Sequence, residues 1–178
     1  MNASSEHVFN FIAYQLAWFA CVLGAAHDFA WAGTAFALAV TAVHLALRRD
    51  AAELRLIVCA AVIGFIADSV LVRTHFVEFE STNWSGFAPL WMVSLWMVFA
   101  TTLNHSLRWL ASRPPVAALA GAIGGPLAYL GGAKLGALTI AMPNPALILI
   151  AFLWALALGL LSLLGRERNE AVDRRIPA

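Results

Sequence analysis

Leu54-Arg-Leu-Ile-Val-Cys-Ala-Ala-Val-Ile-Gly-Phe-Ile-Ala-Asp68-Ser-Val-Leu-Val72 is the stretch whose reading decides the fold. Apart from Arg55 near its start and Asp68 near its end it carries no charge, and it approaches the roughly 20 apolar residues a helix needs to cross a hydrocarbon layer of about 30 Å. Five more runs of this kind lie at 8–26, 29–47, 87–107, 115–132 and 146–164. The breaks between them hold turn and charge chemistry: His27-Asp28, Arg48-Arg49-Asp50, a longer stretch from Arg73 to Gly86, Arg113-Pro114-Pro115 and Pro143-Asn144-Pro145. Proline and clustered charge each stop a helix, so the pattern predicts an all-α polytopic membrane protein, a bundle of six transmembrane helices forming one domain over 1–178. Residues 165–178 read as a short charged tail.

Composition agrees. Of 178 residues, 62% are hydrophobic and 12% charged, and the mean hydropathy is +0.80, far from the charged quarter of soluble domains. A formal net charge of +1 without any run of Lys or Arg offers no stripe for phosphate, so nucleic acid is not expected as a partner. Gly24-Ala25-Ala26 resembles a small-residue cleavage site, yet no Lys or Arg precedes it, and the first run is read as a retained helix.

With six spans, Arg48, Arg49, Arg55, Arg108, Arg113, Arg166, Arg168, Arg174 and Arg175 share one face, and Arg73 and Lys134 the other. Nine of the 11 Lys and Arg residues on one side make that side cytoplasmic, with both termini inside. Trp31, Trp84, Trp91 and Trp109 fall near the predicted interfaces, where an amphipathic ring is favoured. The fifth span is the irregular one. Between Gly121 and Gly136 it carries six glycines and Pro126, so a bend or an unwound stretch stays open beside a continuous helix.

Polar side chains inside a span are expected to face the bundle interior. At about 100° per residue, Ser94, Thr101 and His105 share a stripe on the fourth helix, with Asn104 at its edge. His7, Asn10, Tyr14 and Cys21 share one on the first, with Gln15 in the same segment. On the third, Glu53, Ala60, Gly64 and Asp68 lie together, a carboxylate beside small residues. Asp68 is the most informative of these. By depth it belongs near Arg73, Tyr129 and Lys134, and an ion pair or hydrogen bond to the fifth helix is the expected role, a proton or cation site the alternative. At the opposite end His44, His105, Asn104, Asn10, His7 and Glu53 fall at similar depth. Two histidines at equal depth suit haem or, with Glu53, a metal. Neither sits in a ligand-spacing motif, so an interfacial polar cluster with no metal and no other cofactor is expected. Gly121, Gly125, Tyr129, Gly132 and Gly136 align along the fifth span as a ridge for close helix packing, as Gly64 does on the third. Cys21 and Cys59 lie at different depths and read as small buried hydrophobes. No nucleophile elbow, metalloprotease helix or paired-cysteine motif occurs, which leaves the intramembrane cluster, with Asp68 and His105 foremost, as the only material for catalysis.

Asn10-Phe11, Tyr14-Gln15 and Trp18-Phe19, then Pro89-Leu90-Trp91-Met92, Leu95-Trp96 and Phe99 to Ser106, then Gly125-Pro126-Leu127-Ala128-Tyr129, resemble the bacterial inner-membrane family known as domain of unknown function 2878. The resemblance runs from about Asn10 to Leu164. It implies a small multi-span protein of proteobacteria, encoded near enzymes that modify membrane fatty acids, and no activity. Two classes of function stay open: a non-catalytic component of a lipid-modification or envelope-stress pathway, whose partners are membrane lipids, another protein or a second copy of itself, and a small transporter or membrane-embedded enzyme for a lipid-like or small substrate.

Overall fold

The computed structural model describes residues 3–173. Its helices are α1 (Ala3–Ala26), α2 (Ala30–Arg48), α3 (Ala51–Arg73), α4 (Leu90–Leu103), α5 (Arg108–Ala111), α6 (Pro114–Lys134) and α7 (Pro143–Asp173), with two short strands, β1 (Val77–Phe79) and β2 (Leu138–Ile140). α7 continues to Asp173, so 165–173 of the expected tail is helix, and Arg174 and Arg175 lie outside the described residues.

Five helices, α1, α2, α3, α6 and α7, are long and apolar enough to cross a membrane. The sixth expected span is shorter than 87–107: α4 has 14 residues, about 21 Å of helix. It begins after Pro89 and ends where the chain unwinds, with the Leu107 amide donating to the Thr102 carbonyl. Eleven of its residues are buried, because α1, α2 and α3 all pack on it. A helix enclosed by other helices need not match the bilayer thickness, so the run of apolar residues there records burial in protein.

Pairs α1/α2 and α6/α7 flank α4 and α3. Gly33 lets α2 approach α1 so closely that a Cβ there would lie 2.5 Å from the Ala20 carbonyl oxygen. Gly121 and Gly125 do the same for α6 against Trp154 of α7. The fifth span is one continuous helix through Pro126, not an unwound stretch, and it ends at Lys134, before Gly136. That glycine has φ +82° in the turn after the helix, a left-handed position suited to glycine, so its role is to turn the chain and not to pack α6. At the same end the loops after α3 and α6 pair as an antiparallel ribbon, Val77 opposite Ile140 and Phe79 opposite Leu138, an element the apolar-run reading did not contain. Val77 and Phe79 point inward and Glu78 outward.

The exterior is apolar and the interior is where the polar groups lie. Leu54, Val58, Val62 and Ile66 form an outward stripe on α3, and Leu119, Ile123 and Leu127 one on α6, each residue about half exposed or more, while Glu53, Gly64 and Asp68 on the other face of α3 are buried. Trp31, Trp84 and Trp109 are exposed, as interface anchors would be. Trp91 is not: it is buried, and its indole N–H donates to the Glu80 carbonyl at 3.1 Å.

Candidate functional site

Two polar sites sit on the buried face of α3. Near the ribbon end, Asp68 is 1% exposed and its two oxygens are both occupied. Trp96 Nε1 on α4 donates to Oδ2 at 2.9 Å, and the Tyr129 hydroxyl on α6 donates to Oδ1. Gly64, one turn before Asp68, makes room for this: a Cβ there would lie 2.1 Å from Trp96 Cγ. Of the partners expected for Asp68, Tyr129 makes the contact. Lys134 is exposed, and Arg73 lies instead over the Phe87 ring, 4.6 Å from its centroid. Trp96 was not among the expected partners, although a buried indole needs an acceptor and Asp68 supplies one on a neighbouring helix.

At the other end, Glu53 is fully buried in the first turn of α3, whose N-cap Asp50 accepts from the Ala52 amide. A carboxylate there is favoured by the positive end of the helix dipole. Two imidazoles converge on it from different helices: His105 Nε2, just beyond α4, lies 3.1 Å from Oε1, and His44 Nε2 on α2 lies 3.7 Å from Oε2. The rings meet edge to face with centroids 4.9 Å apart. Asn10 of α1 fixes this end of α4: its Nδ2 donates to the Thr101 carbonyl and lies 3.3 Å from Thr101 Oγ1, and its Oδ1 accepts from Ser106 at 2.8 Å. Asn104 is buried nearby in sequence with neither amide atom hydrogen-bonded. His7 is exposed and takes no part, and Gln15, partly buried, bonds to neither site.

Between the sites the interior is apolar. Leu56, Ile57, Ala60, Trp96, Phe99 and Leu103 pack as one cluster, with Tyr14 tilted on Phe99 at 5.6 Å. No polar path joins Asp68 to His105 among the described residues. Beside this layer, α1 and α6 make no extended contact and leave a narrow cleft with a cavity volume of ≈ 40 Å³. Trp18 of α1, Leu95 and Phe99 of α4, Ala128 and Tyr129 of α6 and Trp154 of α7 line it. Trp154 Nε1 is buried there, on the Tyr129 side, without a hydrogen bond of good geometry. Of the packing glycines, Gly121 and Gly125 face Trp154, Gly64 faces Trp96, and Gly132 faces Leu138 of β2. Cys21 and Cys59 are both free thiols, Cys21 buried against Ser94 and Cys59 only partly buried.

A bundle with carboxylates and small residues inside and long aliphatic side chains outside, on five helices of spanning length, defines an α-helical membrane protein. The sequence model of the family described as Protein of unknown function (DUF2878) matches residues 7–160, and the chain belongs to that family. No curated protein and no solved structure matches it.

Proposed function

We propose that this protein is a non-catalytic, lipid-interacting component of a bacterial inner membrane, and that the cleft between α1 and α6 takes the end of a hydrocarbon chain of a bilayer lipid. The cleft is the observation that carries the reading. It lies at the depth of the spans, its lining of Tyr14, Trp18, Leu95, Phe99 and Trp154 is mostly aromatic, and lipid tails are the solvent at its mouth. The chain end would reach toward the buried Tyr129 side of the lining. A role in membrane-lipid modification is in keeping with the family resemblance noted above. The sealed Asp68 site and the apolar layer beneath it argue against a transport path, which needs a polar route across the bundle.

Lipid extraction and mass spectrometry of protein exchanged through detergent tests this: the parent should retain a diacyl lipid, and Ala128→Trp, which fills the cleft, should not. Equal lipid content in both, with both folded, sinks the reading. The orientation with both termini in the cytoplasm is part of the proposal, supported by nine of the 11 Lys and Arg residues on one side. Cytoplasmic reporters after Leu110 and Ala178, and a periplasmic reporter within 82–86, should be active; a periplasmic reporter active at Ala178 overturns it.

A further inference from the structure

We propose that His44, Glu53 and His105 form a binding site for a divalent first-row transition metal ion, Zn²⁺ or Fe²⁺, with at least one coordination position left open. This departs from the expectation of no metal, and it does not depend on the lipid cleft. The ligand atoms of the three residues all lie within 4.8 Å of one another. Ligands bound to zinc at about 2.0–2.1 Å in a tetrahedron stand about 3.3 Å apart, and the two imidazole nitrogens already lie 3.1 and 3.7 Å from the carboxylate oxygens. Closing the set needs side-chain adjustment alone. Each ligand comes from a separate segment, α2, the first turn of α3 and the turn after α4, and those segments are fixed by the packing of the bundle.

The second observation is His44 itself. Its side chain is 9% exposed, and its Nε2, aimed at Glu53, is buried with no hydrogen bond. A core histidine retained only for packing satisfies both ring nitrogens, whereas a nitrogen held just beyond hydrogen-bond range of a carboxylate is what a bridging cation would explain. The donor set has no thiolate. Two imidazoles and one carboxylate are the set of open zinc sites and of non-haem iron sites, while Mg²⁺ and Ca²⁺ prefer oxygen. Binding takes neutral imidazoles and an ionised carboxylate, so any proton shared between His105 Nε2 and Glu53 Oε1 must move to His105 Nδ1 or leave.

The full chain, purified in detergent, stripped with chelator and titrated with Zn²⁺ in air or Fe²⁺ without oxygen, supplies the test, read by metal content and thermal melting. One ion per chain should be retained through gel filtration and the melting temperature should rise; retention of Zn²⁺ against Fe²⁺, or the reverse, tells the two metals apart. His44→Ala and His105→Ala should lose both the ion and the shift. Co²⁺ in the parent should give a visible absorption band that needs no variant to interpret. Absence of retention and of a melting shift with both metals overturns the site, as does undiminished binding by the two histidine variants.

Discussion

Two buried carboxylates share one face of α3, fifteen positions and thus about 22 Å apart, and their neighbours differ in kind. Asp68 meets an indole N–H and a phenol O–H, and both donate to it from buried positions. Glu53 meets two imidazoles, groups that can donate, accept or coordinate. A carboxylate in a membrane bundle is therefore not functional by virtue of being there. What surrounds it decides: the first site is a closed lock between α3, α4 and α6, and the second keeps ligand capacity.

The hardest test of that contrast is Asp68→Ala, which leaves Trp96 Nε1 and the Tyr129 hydroxyl buried without an acceptor, at about 1–3 kcal/mol each. Folded yield and melting temperature in detergent should fall sharply, and Asp68→Asn, which keeps one acceptor oxygen, should fall less. Parent-like melting of both variants would break the comparison. Gly64→Ala should act through the same lock, since its Cβ cannot coexist with Trp96 in place. A loss of about 1–3 kcal/mol is expected, and in a double-mutant cycle it should be strongly non-additive with Trp96→Phe. At the other site Glu53→Gln should lower the stability of metal-stripped protein by about 1 kcal/mol, less than Asp68→Ala, while its larger effect appears as loss of metal retention. Lys134→Ala should leave the melting curve unchanged, because the exposed ammonium makes no contact with Asp68; a clear drop would put Lys134 back in the lock.

Much of the frame was legible in the chain itself. Span-length apolar runs locate helices because the bilayer sets a length, and 3.6-residue periodicity placed Glu53, Gly64 and Asp68 on one face of α3. The same counting overran at α4. An apolar run of 21 positions looks like a span whether lipid or protein surrounds it, and only the packing of α1, α2 and α3 shows that it holds a helix of 14 residues enclosed by protein. Trp91 was assigned to an interface for the same reason: hydropathy gives depth and not company.

What the sequence determined by itself is the membrane class, the approximate positions of the long helices and the inward face of α3, since these follow from local chain length and periodicity. Tertiary structure decided the rest. Trp96 reaches Asp68 across 28 positions and His105 reaches Glu53 across 52, and the ribbon joins loops some sixty positions apart. Such pairings depend on the azimuth and tilt at which helices pack, which are set by small residues such as Gly33, Gly64 and Gly125 meeting a particular neighbour. Periodicity says which side chains face inward; only the packed bundle says which of them meet.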